Sequence, residues 1–198
     1  MRAYRGMIDA DAISRSLAEP ELFESVFRRH HAAIHAYLAR RLGSEHADDV
    51  AAEVFVIAFR SRASYAPLTA DARPWLYGIA TNLARHHWRA ESRRLSALAR
   101  VGPAEPSEAA HEGAPERLDA AREARDAVRA LRAMPAGDRE ALLLLAWADL
   151  TYREIAVALG LPVGTVRSRI NRARRRLREE LSGGEPHQTT SIGEGATP

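Results

Sequence analysis

The 198-residue chain contains no cysteine. Disulfide scaffolds, cysteine-ligated zinc, iron–sulfur clusters and thiol catalysis are therefore excluded. Lysine is missing too: all 29 basic residues are arginines, so neither a lysine Schiff base nor a P-loop lysine exists. No glycine-rich phosphate cradle is present. Long apolar runs are also lacking, for the longest, Ala141–Ala148, has eight residues, against the ~20 that span a bilayer. Met1–Arg15 carries Arg2, Asp9 and Asp11 without an apolar core, so a signal peptide is not expected. The expectation is a soluble cytoplasmic protein with no membrane insertion.

Enzyme chemistry finds little support. His31 and His35 sit four residues apart, a spacing that could clamp a metal. No cysteine and no well-placed carboxylate in the sequence completes such a site, and solvent-exposed helix histidines are the expectation. Asp48 and Asp49 are adjacent and point to different sides of a helix, a poor acid/base couple. The chain is expected to be no enzyme and to use no metal or cofactor.

The net charge is +3, too small to imply a nucleic-acid partner, but the charge is sorted along the chain. Gly43–Ala58 carries Glu45, Asp48, Asp49 and Glu53 with no base. Pro103–Glu116 carries Glu105, Glu108, Glu112 and Glu116, again with no base. Leu161–Glu180 carries seven arginines against two glutamates. Such sorting presents different surfaces to different partners, or simply solvates different helix faces.

Alanine and arginine abundance and scarce β-branched residues favour helix. Apolar periodicity places a helix over 21–42, ended by Gly43, and another from Ser44, a plausible N-cap, to about Arg60. Residues 61–73 form a loop. Asp71 can cap a third helix that tolerates Pro74 in its first turn and runs to about Arg94 or a little beyond. Val101–Pro115 has three prolines, two glycines and no aromatic, a composition that cannot bury a core. Helices resume over 116–133, 136–148, 152–159 and 162–181. The expected fold is all-α, with two small helical domains (20–99 and 117–182), a flexible acidic linker (100–116) and a disordered tail (183–198).

Thr151 and Glu154 form a capping box at a helix start, in which each side chain satisfies the other's orphan backbone donor. Gly160 supplies a left-handed stop and Pro162 opens the next helix. Two short helices about a glycine turn are the sequence form of a helix-turn-helix. In the second, Val163, Val166, Ile170, Ala173 and Leu177 share one face. Ser168, Asn171, Arg172 and Arg175 lie opposite, flanked by Arg167 and Arg174 on one side and Arg169 and Arg176 on the other. Arginine can bond bidentately to guanine and asparagine to adenine in a major groove, each good pair contributing roughly 1–3 kcal/mol of discrimination. The flanking arginines suit phosphate, which adds affinity without sequence information. This half is read as DNA-binding.

Leu150–Arg174 resembles the promoter-reading domain of bacterial sigma factors of the small extracytoplasmic-function type, a pattern shared with LuxR-type regulators. Ala47–Arg60, followed by Pro74–Arg85, resembles the core-binding and promoter-melting helices of the same family. The resemblance covers about 21–181 and implies a subunit that binds core RNA polymerase, reads the minus-thirty-five element as duplex and opens the minus-ten element. It places Arg167, Ser168, Asn171, Arg172 and Arg175, with Tyr152 and Arg153 of the preceding helix, on the upstream element. It places Tyr65, Trp75, Asn82, Arg85 and Arg89 on the melted element, with Arg93 on the same face. A buried Trp75 anchoring its helix is the competing view.

Asp48, Asp49, Glu53 and Phe55 would face the polymerase clamp, although Phe55 could equally belong to the core. Ala52 stands where the family usually has glutamine, and Gly78 where a basic residue is common. The acidic linker would thread the polymerase channel, or merely tether two domains. Promoter DNA, core polymerase and a candidate anti-sigma factor are the implied partners, with the free chain a monomer. The alternative is a stand-alone helix-turn-helix regulator of the LuxR type, whose N-terminal half would sense or dimerise.

Overall fold

The computed structural model describes residues 7–66, 71–99 and 126–182, and every regular element among them is helical. In chain order these are α1 (Asp9–Arg15), a 3-10 turn (Pro20–Phe23), α2 (Glu24–Leu42), α3 (Ser44–Ser61) and a second 3-10 turn (Arg62–Ser64). After α4 (Arg73–Ala99) come α5 (helical over 126–133), α6 (Ala136–Trp147), α7 (Tyr152–Leu159) and α8 (Val163–Ser182). The proposed linker and tail lie outside the described residues.

Helices α2 and α3 form an antiparallel hairpin broken by Gly43, and α4 lies across both. Ile34, Tyr37 and Leu38 of α2, Val54 and Ala58 of α3, and Leu76 and Ala80 of α4 are fully or almost fully buried together. Sequence periodicity missed α1, which lies before the expected 20–99 unit. Its Ala12 and Ile13 are nevertheless part of the same core. Seven residues carry too few apolar positions to show a period.

Tertiary contacts fix α1 instead. The buried Asp9 carboxylate has its Oδ2 2.7 Å from His30 Nε2 and accepts the Ala72 backbone N–H at 2.9 Å. Its Oδ1 lies 2.6 Å from Arg29 Nη1. Burial alone would raise the Asp9 pKa, but the His30 and Ala72 hydrogen bonds and the nearby charges outweigh it and hold the carboxyl below its ordinary value.

Two local expectations are corrected. Ser44 is the first residue of α3 rather than its cap, since Gly43 takes the cap position at φ 85° and no side chain caps the end. Asp71 accepts the Arg73 N–H at 2.8 Å from one residue further out than a cap.

The two halves share a continuous core. Leu144, Leu150, Ile155, Val166 and Ile170 of the second half belong to the same buried cluster as Leu76 and Ala80. At the seam α4 and α7 pack tightly: a Cβ at Gly78 would stand 2.6 Å from the Ala158 carbonyl oxygen. Only a residue without Cβ lets the helices approach this far.

A buried ionic network crosses the same seam. Arg41 donates to the Tyr37 hydroxyl at 2.6 Å and to Glu140 Oε1 at 2.9 Å, with its second terminal nitrogen 2.5 Å from Oε2. Tyr37 is in turn hydrogen-bonded to Thr81 at 3.0 Å. The Arg41 and Glu140 side chains are 5% and 3% exposed, so each depends on the other for compensation of a buried charge.

Candidate nucleic-acid interface

The helix-turn-helix forms as its sequence requires. Thr151 Oγ1 accepts the Glu154 N–H at 3.3 Å while Glu154 Oε2 accepts the Thr151 N–H at 2.7 Å. Gly160 ends α7 at φ 62°, ψ 41°, a left-handed conformation that costs glycine nothing. Ile155 and Ala156 of α7 and Val166, Ile170 and Ala173 of α8 are buried. Those contacts fix the rotation of α8 about its axis.

Arg167, Ser168, Asn171 and Arg175 are consequently exposed, as are Arg153 of α7 and the flanking Arg174 and Arg176. Tyr152 is half-buried. Arg175 Nε lies 3.6 Å from Glu179 on the solvent face, a pair too exposed to hold it rigidly.

Arg172 is exposed on the same face but also bonds to α6. Its Nε and Nη2 donate to the two oxygens of Asp138 at 3.1 and 2.8 Å. The Asp138 side chain is 6% exposed, and its hydrogen bonds and charge raise the Arg172 pKa. One donor edge, Nε with Nη2, is thus committed to α6, and Nη1 remains on a side chain that is 44% exposed. Arg172 buttresses α8 through that edge while sharing the outward face with Arg167, Asn171 and Arg175. Nothing in the sequence joins Asp138 to Arg172 across 34 positions.

On α4, Asn82, Arg89 and Arg93 are exposed and Arg85 is half-buried, all along one stripe. Asn82 Oδ1 accepts from Arg85 Nη2 at 2.8 Å, which orients both groups. Trp75 is half-buried, with its ring centroid 4.8 Å from that of Tyr65. Both rings pack on the core, and the Tyr65 hydroxyl is buried without a hydrogen-bond partner among the described residues. The pair sits at the N-terminal end of the basic stripe as one aromatic unit, partly buried and partly open to solvent.

On α3, Asp48, Asp49 and Glu53 are exposed, and Asp48 Oδ1 lies 3.0 Å from His35 Nε2. Phe55 is 5% exposed, which is the core placement of the two that the sequence left open. Its ring meets Phe27 edge-on at 4.9 Å. The exposed apolar groups here are Phe27 and Val56, bordering a shallow groove with Phe23 and Phe59. Sequence reading passed over Phe27 because Val26 beside it carries the core-facing period.

His31 and His35 are half-buried rather than solvent-exposed, stacked at 6.1 Å with His31 against Phe27. Among the described residues, the grouping with metal-ligand proximity is Asp9, His30 and Asp71. The Asp9 and His30 atoms that approach there already bond each other and Ala72. No helix among the described residues is long and apolar enough to cross a membrane.

Comparison with known proteins agrees with this geometry. The family model for sigma-70 region 2 matches residues 26–94, and that for sigma-70 region 4 matches residues 124–177. The chain is 34% identical over 175 residues to the ECF RNA polymerase sigma factor SigE of Mycolicibacterium smegmatis, covering 87% of this chain and 66% of that one. It is 33% identical over 163 residues to the ECF RNA polymerase sigma-E factor of Escherichia coli, covering 79% of this chain and 84% of the relative.

Among solved structures, CnrH in complex with the cytosolic domain of CnrY superposes with a TM-score of 0.59 at 27% identity, covering 89% of this chain and all of that one. The region 2 match over the N-terminal half gives the stand-alone LuxR-type alternative no support. With both regions matched in order and a relative covered over most of its length, the chain belongs to the extracytoplasmic-function group of the sigma-70 family.

Proposed function

We infer that this protein is a transcription initiation subunit that binds core RNA polymerase and directs it to specific promoters. The observation that carries the reading is the pairing of two surfaces in one chain. One is a capped helix-turn-helix presenting Arg167, Asn171 and Arg175. The other is a separate helix presenting Asn82, Arg85 and Arg89 beside the Tyr65–Trp75 pair. The first suits base edges of closed duplex. The second joins cations, an amide and aromatic rings, the means of holding an opened strand.

The polymerase-facing surface is assigned to α3 and its rim. Asp48, Asp49 and Glu53 supply acidic complementarity to a basic partner. Phe27 and Val56 supply apolar area that is exposed in the free chain. Phe55 supports that surface from beneath.

The closed seam bears on the mechanism. Elements centred thirty-five and ten positions upstream are about 25 base pairs apart, or roughly 85 Å at about 3.4 Å per pair. Helices α4 and α7 are in contact here, so the halves must part before both elements are engaged. A protein that clasps the halves together would keep the factor idle, and an anti-sigma factor is the partner class that fits.

Reconstituted transcription on genomic promoter fragments, with purified core polymerase with and without the chain, tests the reading. Promoter-specific transcripts are expected only with the chain. Core binding without a transcript from any genomic promoter would overturn it. An Asn82→Ala chain should bind promoter duplex within the holoenzyme but initiate poorly, and a pre-opened bubble at the minus-ten element should restore it.

A further inference from the structure

The seam between the halves encloses a cleft of about 450 Å³, within the usual range for small-ligand sites. Its walls carry Arg40 and Arg41 of α2, Arg132 of α5 and Arg139 of α6, and no carboxylate among the described residues lines it. The imidazoles of His46 and His87, with centroids 4.5 Å apart, and the indoles of Trp88 and Trp147 complete the lining.

The charge balance within the seam is incomplete. Arg139 is 8% exposed, yet among the described residues its guanidinium has only a 3.4 Å hydrogen bond to the Leu131 carbonyl and a 3.9 Å approach to Glu140. It lies 4.1 Å from the Trp88 ring centroid. Glu140 is already engaged by both terminal nitrogens of Arg41. Two buried guanidiniums therefore share one carboxylate. Burial lowers the Arg139 pKa, Glu140 opposes that only in part, and Arg41 adds to the lowering. A buried cation without a full partner is costly. Arg40 and Arg132 are exposed at the rim and form no ion pair among the described residues.

We propose that this cleft is a binding site for a phosphate-rich anion of nucleoside-diphosphate size, held by Arg132 and Arg139 with its base against the indole rings. Arginine is matched to phosphate by geometry as well as by charge. Two tryptophans lining a cationic cleft add the apolar planar surface that a base uses and an inorganic anion does not. Because the ligand touches α2, α3 and α4 on one side and α5 and α6 on the other, it binds only the closed arrangement and favours it. The site is separate from the DNA-reading faces of α4 and α8.

Titration of the full chain with ADP, pyrophosphate and adenosine, followed by calorimetry and tryptophan fluorescence, tests the site. ADP should bind saturably at one site and change the fluorescence, and adenosine should not bind. Tighter binding of ADP than of pyrophosphate would assign the site to nucleotides, and equal binding would assign it to inorganic phosphates. Arg139→Met and Arg132→Gln should each weaken ADP at least about tenfold, while Arg60→Gln on the opposite groove should leave it unchanged. Arg132 is exposed, so its variant keeps the test open if Arg139→Met does not fold.

Absence of saturable binding by ADP and pyrophosphate would overturn the proposal. So would ADP binding indifferent to both substitutions. Loss of promoter affinity in these variants, with ADP binding intact, would assign the arginines to DNA phosphate and equally refute it.

Discussion

The Arg41–Glu140 pair offers the sharpest test of whether the two halves are held closed by their own contacts. Glu140→Ala removes the one carboxylate among the described residues that serves Arg41 and Arg139, at 5% and 10% side-chain exposure. Breaking one partner of a buried pair costs about 3–5 kcal/mol, because the remaining charge is neither paired nor hydrated. In this protein there is an escape. Parting of the halves returns both guanidiniums to water, so the loss falls on the closed arrangement and leaves each helical half intact. A shift of about 3 kcal/mol changes the closed-to-open ratio by about 150-fold.

The absence of native cysteine makes the assay clean. Fluorophores on Ala36→Cys and Ala146→Cys, both exposed, report the distance between α2 and α6 by energy transfer. Transfer should fall in the Glu140→Ala background while the helical circular dichroism stays the same. The double variant Arg41→Met, Glu140→Leu should recover much of the transfer, since an apolar pair of similar volume often matches a buried ion pair. Unchanged transfer in Glu140→Ala would refute the argument. A matching loss of helicity would also refute it, by showing that the pair supports the halves themselves.

Other outcomes follow from the same geometry. Gly78→Val should strain the α4–α7 contact by about 1–3 kcal/mol, lowering energy transfer without unfolding α4, because the obstacle is the Ala158 backbone. In promoter-selection assays, Asn171→Ala should relax preference at one or two upstream base pairs, whereas Arg176→Ala should weaken all promoters alike and reduce the salt slope. Arg172→Ala should instead lower the thermal midpoint of the α6–α8 half, since its bonds go to Asp138. Asp48→Arg with Asp49→Arg should abolish co-purification with core polymerase while changing stability by a few tenths of a kcal/mol each, both residues being exposed. Asp9 has a lowered folded pKa against an ordinary 3.8, so its stabilising contribution is complete above about pH 4 and is lost as pH falls through the lowered value. Asp9→Asn should flatten that acid limb of an unfolding curve.

Local chemistry was sufficient for the helix-turn-helix. Thr151, Glu154, Gly160 and Pro162 act within a few residues of one another, so their pattern dictates both ends of α7 and the start of α8. The apolar stripe of α8 likewise determined which arginines face outward, apart from Arg169, which is half-buried against Gly137. The helical periods of α2, α3 and α4 were legible for the same reason, and so was the exposed acidic face of α3.

Contacts between distant positions were decided only by tertiary structure. Asp138 claims Arg172 through a bond across 34 positions, which no local period encodes. Phe55 is buried because α2 brings Phe27 against it, and α1 is held by a buried Asp9 that meets His30 and Ala72. Gly78 reads in the sequence as a missing phosphate contact. In the fold it is the point where α4 admits the Ala158 carbonyl, because helix approach depends on what the facing helix presents. The cationic cleft has the same origin: its arginines come from α2, α5 and α6, and packing alone brings their charges to one place.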